Sequence, residues 1–197
     1  EIIQKNQSGD SALRVDIEAE KTIIDTIREA KVPMRVISEE HGIVETGNNP
    51  IYLGVLDGLD GSNVYKKERG KGRYGTMFGI FSNLNPRFND YIFSGVMEHS
   101  TNRLFYAMRG KGSFLIGNKK IRIKCSNCKT LNQDTNIYAD EFFDNTYNTT
   151  FIYDTFLSRL GGYNILHKNS SAVHYVDLAS GITDLVLECT RKGNLEI

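Results

Sequence analysis

The stretch IYLGVLDGLDGS, residues 51–62, narrows the fold more than any other part of the chain. Tyr52, Leu53, Val55 and Leu56 form a short apolar run rich in strand-favouring residues, and such a run reads as a buried strand. It stops on Asp57, and Asp60, Gly61 and Ser62 follow at once. In layered α/β sheets the carboxyl edge of the strands is where ligand sites form. Two carboxylates this close repel each other, and a hard cation such as Mg²⁺ offsets that repulsion while leaving room for phosphate oxygens. Gly61 and Ser62 add small side chains and backbone N–H groups suited to a phosphate. The acids at residues 39 and 40 also follow an apolar run, 34–38, read as a second strand. If the two strands are neighbours, Glu39 reaches the same metal. The bland alternative is that D-x-x-D-G-S is only a turn, since Asp, Gly and Ser favour turns for local reasons. A Glu-Glu pair is ordinarily a solvated face.

Around these strands, residues 16–31 have the apolar spacing of an amphipathic helix through Ile17, Ile23, Ile24 and Ile27, and Pro33 ends it. Residues 46–50 read as loop and 74–82 as a strand. Residues 92–98 and 103–107 form a hairpin, and 114–116 and 121–123 a second one. The polar stretch 133–150 reads as a connection between halves. Residues 149–160 and 170–181 read as helices, with Gly181 closing the latter, and 184–189 as a strand. Strands and helices interleave with several strands adjacent, so the class is α+β or layered α/β. The division read from this is an N-terminal α+β half over residues 1–130 carrying the site, and the start of a C-terminal α/β half over 131–197.

Composition removes some partners. Lys and Arg (24) balance Asp and Glu (24) in 197 residues, so charge argues for neither nucleic acid nor an anionic membrane. No apolar run approaches the ~20 residues of a membrane helix. Three cysteines are an odd number, which points away from a disulfide scaffold and towards a reduced, cytoplasmic setting. Cys125 and Cys128 have zinc-knuckle spacing but lack the second pair that a four-ligand structural site needs.

Five stretches in order resemble the inositol monophosphatase family of Mg²⁺-dependent sugar phosphatases, including its archaeal-type fructose-1,6-bisphosphatases. They are Gly9-Asp10 with VDIEAE (15–20), ISEEHG (37–42), VLDGLDGS (55–62), the pair RLFYA (103–107) and GKG (110–112), and SSA (170–172) with GNLEI (193–197). The resemblance implies a layered αβαβα fold and roles for matching residues. Glu39 would bind metal and orient the attacking water. Asp57 would bridge metals, the Leu59 carbonyl and Asp60 would ligate, and Glu196 would stand where relatives place an Asp. Ser62, at a usual Thr position, would pair with Glu39 around the water and hold phosphate with Gly61. Ser171 and Glu188 would contact substrate. The implied cofactor is Mg²⁺, the substrate a small sugar or polyol phosphate such as inositol monophosphate or fructose 1,6-bisphosphate, and the assembly a homodimer. A 3′(2′),5′-bisphosphate nucleotidase of the same fold and a non-catalytic metal- or phosphate-binding relative remain alternatives. The family's first long helix would precede Glu1 and the rest of its second half would follow Ile197, so the chain is read as incomplete at both ends. Gly58 replaces a usual proline, and the loop is expected to be looser there. Leu166 falls where relatives carry a substrate-side Arg, with His167 or Lys168 as possible substitutes. Lys66, Lys67, Arg69, Lys71 and Arg73 form a basic loop, read as solvated or as steering an anionic substrate. Lys5 and Asp16 are placed near the site entrance or, for Asp16, in a helix-face salt link. His174 reads as a satisfied histidine rather than a ligand.

Overall fold

The computed structural model describes residues 2–5, 11–139, 155, 159, 164, 165 and 170–187. Two short strands, β1 (Ile2–Lys5) and β2 (Ser11–Leu13), pair antiparallel and lead into helix α1 (Arg14–Glu29). The helix starts where Asp16, in its first turn, accepts a hydrogen bond from the Leu13 N–H at 2.8 Å. It ends where Lys31 turns to φ 54° ahead of Pro33. The buried stripe of α1 is Asp16, Glu20 and Ile24, one residue per turn. Ile24 packs on Met34, Val36 and Leu56 and so fastens α1 to one face of the main sheet.

That sheet has eight strands: β3 (Met34–Ser38), β4 (Gly42–Glu45), β5 (Tyr52–Asp60), β6 (Gly75–Phe81), β7 (Tyr91–Glu98), β8 (Arg103–Met108), β9 (Gly112–Ile116) and β10 (Lys120–Ile123). Their spatial order is β10-β9-β8-β7-β6-β5-β3-β4, and every neighbouring pair is antiparallel except β3 with β5. The exception positions the site. After β3 the chain turns back as β4, which composition had not marked as a strand. It then crosses through residues 46–50 to enter β5 on the other side of β3. Thr46 anchors this return, donating its hydroxyl to the Val32 carbonyl at 2.7 Å and its N–H to the Met34 carbonyl at 2.9 Å. Because β3 and β5 are parallel, both finish at the same edge of the sheet, with Ser38 opposite Leu56.

A second sheet has β11 (Asn136–Ala139) between β12 (Asn164–Ile165) and β13 (Leu185–Leu187), parallel to both. β11 lies inside the stretch read from composition as a connection. Between β5 and β6 runs the short helix α2 (Ser62–Lys67). Helix α3 (Ser171–Ala179) is capped by Ser170, whose hydroxyl accepts from the Val173 N–H at 3.4 Å, and closes at Gly181 with φ 74°. α3 touches β6 and β7 of the first sheet and β13 of the second. The layers therefore run α1, sheet, α3, sheet, in keeping with the expected α+β layering. No helix among the described residues is long and apolar enough to cross a membrane. The helix expected at 149–160 lies outside the described residues, apart from residues 155 and 159.

Candidate active site

Asp57 and Asp60 are three positions apart, and on a regular strand that spacing puts side chains on opposite faces. The structure resolves the conflict with an irregularity in β5. Asp57 pairs with Met77, but Asp60 pairs with Gly75, so three residues of β5 oppose two of β6. The extra residue is a β-bulge, and it re-aims Asp60 to the face that carries Asp57. Asp57 accepts from the Leu59 N–H at 2.9 Å, folding the strand end over itself. Beside it, the Glu39 N–H donates to the Leu56 carbonyl at 3.2 Å, which sets Glu39 next to Asp57 across the parallel pair.

Beneath these acids lies Glu20, fully buried. Its Oε1 accepts from the N–H groups of Glu39 (3.1 Å) and Gly58 (3.3 Å). Its Oε2 accepts from the Glu40 N–H (3.0 Å) and the Ser38 hydroxyl and meets His41 Nδ1 at 3.0 Å. One carboxylate of α1 thus ties down both turns that carry candidate ligands. Sequence reading placed Glu20 in the resemblance but gave it no task. Asp16, one turn earlier, is buried rather than at the entrance or in a surface salt link. Ser62 Oγ lies 3.4 and 3.5 Å from the two Asp16 oxygens and 3.2 Å from the Leu59 carbonyl. Ser62 is thus within hydrogen-bond reach of Asp16 and of the Leu59 carbonyl. Burial pushes the Asp16 carboxyl above its ordinary pKa, and the hydrogen bonds from Leu13 and Ser62 oppose this only in part.

Gly58 is the opposite of loose. A Cβ there would lie 2.5 Å from Glu20 Cγ and 2.6 Å from the Asp16 carbonyl. The residue is bonded on both sides: its N–H to Glu20, and its carbonyl to the Thr76 hydroxyl at 2.7 Å. Thr76 in turn meets His99 Nε2 at 2.8 Å. Since the Thr76 proton goes to Gly58, Nε2 of His99 is the donor in that contact. Burial lowers the His99 pKa, which keeps the ring neutral.

Asp60, almost fully buried, accepts from the Ala172 N–H at 2.7 Å, in the first turn of α3. Gly61, the N-cap of α2, sits at φ 94°, a left-handed geometry that favours glycine. A Cβ on it would also come within 2.5 Å of Ser170 Cβ. The first turn of α3, with Ser171 buried, is therefore packed on the Asp60-Gly61 corner. Arg73 is part of this junction rather than of a solvated basic loop. Its guanidinium pairs with both Asp177 oxygens at 2.8 Å and with Glu98. Lys66, Lys67, Arg69 and Lys71 are exposed, as that reading expected. His174 is buried and stacked on Tyr138. Cys125 and Cys128 are free thiols on the surface.

Among the described residues no three His, Cys, Asp or Glu side chains form a group that could hold a metal ion. Glu196 and Glu188, and also Leu166, His167 and Lys168, lie outside the described residues. At the ends of β3 and β5 the structure brings Glu39, Asp57, Asp60 and the Leu59 carbonyl to one sheet edge, as a set of oxygen groups that do not close into such a metal-holding group. In its chemistry that set fits a hard divalent cation such as Mg²⁺ and would not select a soft one.

Comparison with known proteins places the chain among phosphatases. An inositol-1-monophosphatase of Caulobacter vibrioides is 29% identical over 122 residues, 61% of this chain and 44% of that protein. A fructose-1,6-bisphosphatase/inositol-1-monophosphatase of Methanothermobacter thermautotrophicus is 27% identical over 122 residues, 58% of this chain and 43% of that protein. These matches span less than half the length of the curated relatives. The solved structure of the extragenic suppressor protein suhB from Bartonella henselae superposes with a TM-score of 0.72 at 18% identity, covering 93% of this chain and 66% of that one. The sequence model of the inositol monophosphatase family matches residues 2–194, and the chain belongs to that family.

Proposed function

We propose that this chain carries the metal and phosphate site of a phosphomonoesterase that hydrolyses small sugar or polyol phosphates, inositol monophosphate or fructose 1,6-bisphosphate among them. The observation that carries the reading is the bulge of β5, which turns Asp57 and Asp60 to one face beside Glu39. The names of the two curated relatives support the substrate class. Glu39, Asp57, Asp60 and the Leu59 carbonyl would hold Mg²⁺, with Glu196 as a further ligand. When bound, the cation supplies Lewis-acid polarisation and neutralises charge on the phosphoryl oxygens.

The chain's own residues do the rest. Gly61 and Ser62 would present backbone N–H groups to the phosphate, and Glu188 would contact the alcohol portion; Ser171 is buried in the turn behind Gly61. Ser62 Oγ reaches the Leu59 carbonyl at 3.2 Å and Asp16 at 3.4 Å, and with its proton turned to the Asp16 side Oγ is an acceptor for a water O–H. Asp16, with its raised pKa, is the better proton acceptor for that relay. Glu39 and Ser62 together orient the water for in-line attack, and Glu20 holds the Glu39 turn in place from below. The odd cysteine count favours a reducing, cytoplasmic setting, and the assembly proposed is a homodimer.

The test is release of inorganic phosphate from inositol 1-phosphate and fructose 1,6-bisphosphate by the full-length protein in millimolar Mg²⁺. Release from at least one is expected, and none from either refutes the reading. Asp57→Asn should abolish turnover while leaving the urea midpoint close to that of the unmodified protein. Retained turnover would remove Asp57 from its role.

A further inference from the structure

Arg73 lies outside every group of candidate ligands, yet it has three holds on the junction between β6, β7 and α3. Its guanidinium grips both oxygens of Asp177, near the end of α3, at 2.8 Å each. Its Nε bonds Glu98, at the end of β7. Its backbone carbonyl accepts from the Ser170 N–H at 3.3 Å, at the other end of the helix. Glu98 is itself fixed from the far side by Arg103 (2.6 Å) and Thr101 (2.7 Å). Glu98 is fully buried and Asp177 nearly so. Burial opposes the charge on Arg73, but the bonds to Asp177 and Glu98 outweigh it, and the guanidinium stays charged. A fork gripping both oxygens of a buried carboxylate fixes orientation as well as distance.

The consequence lies at the other end of α3. With Ser170 and Asp177 both held, the first turn of the helix has one position relative to β5. There the Ala172 N–H reaches Asp60 Oδ2 at 2.7 Å, and Ser170 packs on Gly61. Nothing else in α3 explains an acid of this kind: Asp177 belongs to a largely buried helix, where an unpaired charge would be costly.

We propose that Arg73 is a positioning residue, which clamps α3 through Asp177 so that the helix's first turn is seated on Asp60-Gly61 and the phosphate side of the site is pre-formed. Arg73 acts through α3 and not on the substrate. Its effect on catalysis rests on the phosphatase reading above; its effect on the helix does not. A seat that is already in place costs nothing on binding, whereas one that must be reassembled reduces apparent affinity by the fraction of time it is formed. Loss of the clamp should therefore raise KM more than it lowers kcat.

Two variants of the full-length protein separate positioning from plain structural support. Asp177→Asn keeps the size of the side chain and removes the charge that Arg73 grips. Arg103→Gln weakens the same network on the side away from α3. Amide hydrogen exchange at Ala172, whose N–H is the one held by Asp60, reads the seating directly. In Asp177→Asn this amide should exchange about tenfold faster or more, while Arg103→Gln keeps it within about twofold of the unmodified protein. In parallel, KM for the best phosphomonoester should rise at least about fivefold in Asp177→Asn with kcat within about twofold, and stay level in Arg103→Gln. Unchanged protection of Ala172 in Asp177→Asn overturns the proposal. So do equal effects of the two variants, or faster exchange with no change in KM. If the unmodified protein turns over no phosphomonoester, the phosphatase reading falls, and the clamp then stands or falls on the exchange at Ala172 alone.

Discussion

Replacing Glu20 by glutamine tests whether one buried carboxylate holds the floor of the site. The change keeps shape and removes one acceptor oxygen. If the new NH₂ takes the place of Oε1, it faces the Glu39 and Gly58 N–H groups, and both are stranded. If it takes the place of Oε2, the Ser38 hydroxyl and His41 Nδ1 can turn acceptor, and only the Glu40 N–H is stranded. The second arrangement is the cheaper and sets the magnitude. One buried donor without a partner costs about 1–3 kcal/mol, and the two surviving bonds at Oε1 each lose about 1 kcal/mol on going from a charged to a neutral acceptor. Burying an amide is easier than burying a carboxylate, which returns part of that sum. The net loss is roughly 2–4 kcal/mol, a large share of the ~5–15 kcal/mol typical of a folded chain. The assay is urea unfolding of both proteins in a chelator, so that metal binding does not contribute, with exchange of the Glu39, Glu40 and Gly58 amides as the local readout. A loss under about 0.5 kcal/mol at unchanged m, with those amides still protected, would refute the reasoning.

Gly58→Ala should destabilise by about 1–3 kcal/mol, because its Cβ meets the Asp16 backbone carbonyl, which cannot turn aside; an unchanged urea midpoint would show that the approach of α1 to β5 is not tight. The pH dependence of stability should carry the mark of Glu98. Burial alone would raise its pKa, but the bonds from Arg73, Thr101 and Arg103 outweigh burial and hold it below the ordinary value. A depressed carboxyl contributes its stability above the unfolded pKa, about 4.3, and loses it as pH falls through the folded one. The urea midpoint should thus drop below about pH 4, and drop less in Glu98→Gln, whereas parallel profiles would remove Glu98 as the cause.

The strands were legible because each is a local pattern. Residues 34–38, the hairpin at 91–108 and the helix closed by Gly181 need only alternation, turn residues and a cap to be read, and each appears within a residue or two of its expected place. β4 and β11 were not legible for the same reason. β4 has four residues, and Ile43 lies largely exposed at the sheet edge, so no buried run announces it. β11 is a parallel strand whose place depends on residues 164–165 and 185–187, far along the chain, and its short apolar run Ile137-Tyr138-Ala139 is set in polar surroundings that read as a connection.

The site divides along a similar line. The acids at 39, 57 and 60 could be found because each follows an apolar strand directly, and the parallel pairing of β3 with β5 turns that adjacency in sequence into adjacency in space. The spacing of Asp57 and Asp60 argued against them, since a regular strand would separate their faces, and only the bulge against Gly75 and Met77 reconciles the two. What lies beneath also leaves a signal in the sequence. Asp16, Glu20 and Ile24 fall one turn apart on the same stripe of α1, and an acid on the apolar stripe of a helix is buried unless the helix pattern is wrong. A buried acid in turn needs donors, and a helix packed on β3 and β5 meets them at that depth where those strands end. The same logic applied to Asp177 in α3 points to a cation from the facing sheet, though not to which one. Arg73 is separated from Asp177 by more than a hundred residues and sits among four exposed cations of the same loop, and only the packing of α3 across β6 and β7 singles it out.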